Sequence, residues 1–196
     1  MKTKIAVLVS GGGTNLQALI DAQNKGIISS GEISLVVSSN ENAYALERAK
    51  KAGIKTKTVI KKGNPDFEKQ IINCLKEQNI ELIVLAGFMC ILSEHFTSLY
   101  KDRIINVHPS LIPSFCGEGF YGLKVHEAAL DYGVKVTGAT VHFVNEIPDG
   151  GKIILQRAVE ILEGDTPEIL QKRVMENAEW EILPQAVEMV CKDLNK

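Results

Sequence analysis

The sequence predicts an α/β fold: an open, mostly parallel sheet with helices on both faces and a C-terminal antiparallel hairpin. Three observations predict it. Short, continuous apolar runs recur along the first hundred residues, as strands buried on both faces require. Segments with helical apolar spacing separate those runs, and such alternation is the pattern of parallel strands joined by crossover helices. After Gly133 the alternation stops, and two strand-like segments follow each other across a Pro-Asp-Gly-Gly turn. The whole reads as one Rossmann-like domain over residues 1–196.

The elements follow in order. Ile5 to Val9 is an apolar run that ends at Ser10-Gly11-Gly12-Gly13. Leu16 to Ala22 has helical spacing, with Thr14 or Asn15 as a candidate cap. A second strand spans Ile33 to Ser38, and a helix from about Ala43 to Ala52 closes at Gly53. Lys57 to Ile60 is a shorter strand, and a helix over residues 65–78 leads to the buried strand of residues 81–86. Ile104 to His108 is the next strand, which Pro109 stops. The loop from Pro109 to Gly122 carries two prolines and three glycines and is long enough to suggest a functional role. A helix over Leu123–Tyr132 precedes the strands Lys135–Asn145 and Lys152–Glu160. The last helix begins near Thr166 or Pro167, with Asp165 and Thr166 as candidate caps.

Composition narrows the function classes. The chain is 45% hydrophobic and 23% charged with a net charge of −2, and its charges are mixed along the sequence. No basic block marks a nucleic-acid or membrane partner. The stretch after Met1 is too short for a signal peptide, and four cysteines without paired spacing fit a reducing compartment. A cytoplasmic protein acting on small molecules is expected. No histidine pair has metal-ligand spacing, so no metal is expected, and His126 and His142 read as ordinary interior or boundary residues.

Ligands of open α/β sheets bind beyond the C-terminal ends of the strands, and three polar features fall there. The glycines of residues 11–13 let backbone N–H groups at a helix start approach an anion. A tight turn would use the same residues, and the segment matches neither GxxxxGK[ST] nor GxGxxG. Asn106 and His108 lie two apart on a strand, so they share one face at its exposed end. An amide beside an imidazole can hold a developing oxyanion and deliver a proton, although such a pair can equally be structural. Asp149-Gly150-Gly151 is first of all a turn signal; were Asp149 to point back at His108, it would orient the imidazole and raise its pKa.

Together these segments resemble the glycinamide ribonucleotide formyltransferase family, over nearly the whole chain. The matching blocks are VLVSGGGTNLQALID at 7–21, VLAGFMCILS at 84–93, INVHPSLIPSFCGEGFYGLKVHEAAL at 105–130, VTGATVHFV at 136–144 and PDGGKIILQ at 148–156. The resemblance implies transfer of a formyl group from 10-formyltetrahydrofolate, a co-substrate, to the amine of glycinamide ribonucleotide in purine synthesis. It implies Asn106, His108 and Asp149 as the catalytic trio, with protonated His108 and Asn106 on the oxyanion. Gly13, Thr14 and Asn15 would hold the phosphate, and Glu179 the ribose or glycinamide end. Met89, Cys90, Ile91 and Leu92 would wall the folate pocket, and Asn106 would also contact the folate. Asn145, Glu146, Ile147, Pro148 and Asp149 would face the pterin. The N-terminal half would thus bind the ribonucleotide phosphate, and the C-terminal half would supply most catalytic and folate-site residues. A monomer or a homodimer is expected.

The sequence departs from the family pattern in three places. Cys90 stands where many relatives have arginine, Lys61-Lys62-Gly63-Asn64 where an arginine often meets the folate tail, and Trp180 where histidine is common. Rival formyl enzymes acting on tRNA or hydrolysing the folate usually carry an extra domain, which 196 residues leave no room for. A dehydrogenase would place an acidic residue at the end of the second strand; Ser38-Ser39-Asn40 stands there.

Overall fold

The computed structural model describes residues 1–196. Seven strands form one sheet: β1 (Thr3–Val9), β2 (Gly31–Ser38), β3 (Lys55–Thr58), β4 (Leu82–Leu85), β5 (Ile104–His108), β6 (Val136–Phe143) and β7 (Ile153–Glu160). Their spatial order is β3-β2-β1-β4-β5-β6-β7. The first five are parallel, while β6 pairs antiparallel with β5 and β7 with β6. The connecting helices are α1 (Thr14–Asn24), α2 (Tyr44–Lys51), α3 (Phe67–Glu77), α4 (Glu94–Leu99), α5 (Leu123–Tyr132), α6 (Pro167–Val174) and α7 (Trp180–Leu194).

The two-faced burial read from the apolar runs is what builds the core. Along β1, Ile5, Val7 and Val9 enter one cluster and Ala6 and Leu8 the other, the period-two alternation of a strand. The larger cluster takes the inner faces of α1, α2, α6 and α7, and the smaller those of α3 and α4. Removing such surface from water is the main force holding the layers together. No helix is long and apolar enough to cross a membrane.

Three local readings need correction. β3 lies at Lys55–Thr58 rather than Lys57–Ile60, because an edge strand of alternating lysine and threonine carries no apolar signal. α4 was not foreseen; Ser93 caps it by accepting from the Phe96 N–H at 3.2 Å. The last helix is three pieces, since a π-helical turn over Met175–Glu179 separates α6 from α7. At the head of α6, Thr166 caps the Ile169 N–H, while Asp165 pairs with Arg173 instead.

The chain runs outward from β1 to β3, then returns to lay β4 against the other side of β1. Neighbouring crossovers therefore part at the C-terminal ends of β1 and β4, which opens a crevice there.

Candidate active site

Asn106 and His108 share one face of β5, as the strand period requires. The antiparallel register sets His142 of β6 opposite Asn106 and Thr140 opposite His108. The loop between β6 and β7 then folds back over this face. Its return depends on Gly151, where a Cβ would fall 1.7 Å from the Phe143 carbonyl oxygen. Asp149 takes a left-handed conformation, φ 55°, which aspartate tolerates better than most residues.

That fold-back brings the carboxylate between two imidazoles. Asp149 Oδ2 lies 3.5 Å from His108 Nδ1, and Oδ1 lies 3.5 Å from His142 Nε2. The Gly117 N–H also donates to Oδ2, at 2.9 Å, tying in the long loop after β5. Thr140 and Gln156 anchor that loop: Thr140 Oγ1 donates to the Ser110 carbonyl, and Gln156 Nε2 donates to the Ile112 carbonyl. The Asp-Gly-Gly sequence is therefore both a turn and the carrier of a site residue.

The partners fix the protonation pattern of both rings. His108 Nε2 lies 2.9 Å from the Phe115 carbonyl, which can only accept, so Nε2 carries the proton and Nδ1 faces Asp149. His142 Nδ1 donates to the Phe143 carbonyl at 2.8 Å, leaving Nε2 to accept from the Asn106 amide at 3.3 Å. Burial holds His108 below the usual imidazole range and outweighs Asp149 and the Phe115 carbonyl, which both pull it up; His142 adds to the lowering. His108 is thus neutral at neutral pH in this structure, where the resemblance implies an imidazolium. Asp149 does favour protonated His108 as expected, but desolvation is the larger effect. For Asp149 itself, burial pushes the carboxyl up. The Gly117 N–H and the positive charge that the two imidazoles carry when protonated outweigh it and hold the group below the usual carboxylate range.

His142 is interior, as expected, and it also has polar partners at the site. Its ring holds the amide of Asn106 and touches Asp149. Only strand register could have revealed this, because 36 residues separate His142 from Asn106. His126 is interior too: it is fully buried in α5 without a hydrogen bond, and burial with nearby His108 pushes it down to about 4.

Beside the trio lies a cleft of about 140 Å³. Of the predicted folate wall, Cys90, Ile91, Leu92, Asn106 and Asn145 through Asp149 line it, together with Leu85, Phe88, His142 and Val144. Apolar walls with a polar end suit a flat heteroaromatic ring on an apolar body. Met89 is not part of this lining. Its side chain is exposed, while its N–H donates to Ser10 Oγ at 2.9 Å.

The third feature sits at the end of β1. Gly13 has φ 72°, and a Cβ there would fall 2.6 Å from that of Ala45, so glycine is needed on both counts. It is also the residue that precedes α1; neither Thr14 nor Asn15 caps the helix. Thr14 is exposed. Asn15 instead donates to Glu179 Oε2 at 2.7 Å. The π turn carries Glu179 to this position, 6% exposed, and burial raises its pKa against the Asn15 bond that lowers it. A π turn at such a place is a frequent companion of function.

Comparison with known proteins points the same way. The sequence model of the formyl transferase family matches residues 3–187. A phosphoribosylglycinamide formyltransferase of Haemophilus influenzae is 41% identical, over 94% of this chain and 85% of its own length. The trifunctional purine biosynthetic protein adenosine-3 of Homo sapiens is 44% identical over 97% of this chain, which spans only 18% of that protein. Among solved structures, glycinamide ribonucleotide transformylase 1 from Symbiobacterium toebii superposes with a TM-score of 0.91 at 39% identity, covering 98% of this chain and 89% of the other. Phosphoribosylglycinamide formyltransferase from Brucella melitensis gives 0.88 at 38% identity, covering 97% and 96%. With the family pattern running from β1 into α7 and a single-function relative matched along most of its length, the chain belongs to the formyl transferase family, among its phosphoribosylglycinamide formyltransferases.

Proposed function

We propose that the protein transfers the formyl group of 10-formyltetrahydrofolate to the amine of 5'-phosphoribosylglycinamide. The products are formylglycinamide ribonucleotide and tetrahydrofolate, as de novo purine synthesis requires. The observation that carries this reading is the meeting of Asn106, His108 and Asp149 at the end of an apolar cleft. We read residues 1–196 as one formyltransferase domain of a cytoplasmic protein, a monomer or homodimer working on small molecules.

The folate supplies an electrophilic formyl carbon, and its ring would lie in the cleft lined by Leu85, Phe88, Ile91 and Leu92. Gly13, Thr14 and Asn15 present N–H groups to the ribonucleotide phosphate, and Glu179 stands beside Asn15 for the ribose or glycinamide end. As the amine bonds to the formyl carbon, its proton is taken up at the His108–Asp149 pair. Protonation gives His108 Nδ1 a hydrogen for Asp149, so both ring nitrogens then donate. The imidazolium, its two N–H groups engaged by Asp149 and the Phe115 carbonyl, offsets the oxyanion's charge through space, while the free hydrogen of the Asn106 amide donates to it and His142 holds that amide in place. The proton passes to the folate nitrogen as its bond to the formyl carbon breaks.

The test is consumption of 10-formyltetrahydrofolate by purified protein with and without glycinamide ribonucleotide. Turnover is expected only with the acceptor. Equal turnover without it would replace transfer by hydrolysis.

A further inference from the structure

The loop before α1 has a consistent polarity. Four consecutive carbonyls are held from behind: Ser10 by the Asn40 side-chain amide at 3.3 Å, Gly11 by the Ala45 N–H at 3.1 Å, Gly12 by Arg48 Nε at 2.9 Å and Gly13 by the Gln17 N–H at 2.9 Å. The N–H groups of residues 11–15 have no partner in the protein. Each peptide unit from Ser10 to Thr14 is therefore bonded at its oxygen and free at its nitrogen.

Arg48 is the one charged member of this set. Its Nη1 donates to Gln17 Oε1 at 3.1 Å, and its guanidinium lies 5.0 Å from the centre of the Tyr44 ring. Three contacts hold the fork in one orientation, yet no carboxylate pairs with it. A half-buried cation without a counter-ion stands directly behind a row of free donors.

We propose that Arg48 is a positioning residue for the ribonucleotide phosphate, acting through the Gly12–Gly13 peptide. Its charge-assisted bond fixes the Gly12 carbonyl away from the ligand, which turns the Gly13 N–H toward it. The same bond polarises the peptide unit, so that N–H becomes a stronger donor. The uncompensated charge adds long-range attraction for the dianion. This inference rests on the reading of Gly13 to Asn15 as the phosphate loop.

The experiment compares binding of glycinamide ribonucleotide with that of its dephosphorylated riboside, by calorimetry, in the wild type, Arg48→Met and Arg48→Gln. Wild type should prefer the phosphorylated compound strongly. Both variants should narrow that preference by about tenfold or more, the scale of a lost charge-assisted bond. Riboside affinity and folate KM should stay near wild type. Arg48→Lys should recover part of the preference, because a lysine keeps the charge without the fork. A wild type that does not distinguish the two compounds overturns the phosphate loop itself, and the role of Arg48 with it. A wild type that does, with variants keeping the full preference, overturns only the role of Arg48. Parallel loss of riboside and folate binding would overturn it too, as the mark of general damage. If Arg48→Met fails to fold, Arg48→Gln alone decides.

Discussion

Asn106 and His142 stand opposite each other across the antiparallel β5–β6 pair, the Asn106 amide donating to His142 Nε2 at 3.3 Å. This bond orients the amide so that its other hydrogen is available to an oxyanion. The ring is itself locked by its donation to the Phe143 carbonyl. His142 thus positions Asn106 without needing to touch substrate.

Replacing His142 by leucine should therefore lower kcat by about 10- to 100-fold, the usual cost of a misaligned group, with both KM values nearly unchanged. His142→Gln, which retains an acceptor, should recover part of the rate. Steady-state kinetics with each substrate varied separately checks this. An unchanged kcat would show that Asn106 needs no such support.

Asp149→Asn should cost about 10²- to 10⁴-fold in kcat, the range of general acid–base assistance, without loss of fold. The pH profile carries the sign. Asp149 raises the pKa of His108 against the larger effect of burial, so removing its charge lowers that pKa further. The acid limb of residual kcat/KM that reports His108 should therefore move to lower pH. A limb moved upward would mean that Asp149 does not act on His108 by its charge.

The parts of this site differed in how far sequence could reveal them. Apolar runs marked β1, β2, β4 and β5, because strands buried on both faces leave no other composition. Asn106 and His108 could be paired because two residues on one strand share a face. Asp149 was named, but its contact with His108 depends on a close backbone approach at Gly151 that no periodicity encodes. The position of Glu179 depends on one extra residue in a π turn, which a pattern of helical period passes over. β3 and α4 were shifted or missed because short, polar elements owe their form to tertiary contacts rather than to local pattern.

Acid should destabilise the fold in two separate windows. His126 is pushed down to about 4 from 6.5, so above pH 6.5 it is neutral whether folded or unfolded. Below 6.5 the unfolded chain binds a proton that the native state refuses, and stability is lost as pH falls to about 4, on the order of 3 kcal/mol. Glu188 is lowered from 4.5 to about 2. Burial acts against that shift, and the N–H and hydroxyl donors of Ser29 and Ser30 outweigh it. Its contribution is present above 4.5 and disappears as pH falls through 2, on the order of 1–2 kcal/mol after screening by nearby solvent. Urea unfolding from pH 8 to 2 should show both steps, with His126→Leu shrinking the first, to which His108 also contributes, and Glu188→Gln shrinking the second, to which Asp149 and Asp165 also contribute. Loss of both steps in either single variant would mean the two groups are not independent.

Gly151→Ala separates site geometry from global stability. An added methyl would meet the Phe143 carbonyl oxygen at 1.7 Å, and that oxygen belongs to backbone that accepts from the His142 ring. Neither side can yield as a flexible side chain would, so the β6–β7 loop must lift away from the sheet. Lifting it carries Asp149 off His108 and loosens the bond that sets the His142 ring. Of this loop only Val144 packs against a hydrophobic cluster, so the melting temperature should fall by only a few degrees, consistent with a cost of about 1–2 kcal/mol. Turnover should drop as far as in Asp149→Asn. Calorimetric melting and kcat measured on one preparation decide the matter. A variant that keeps its rate while losing much of its stability would place the role of Gly151 in the sheet rather than in the site.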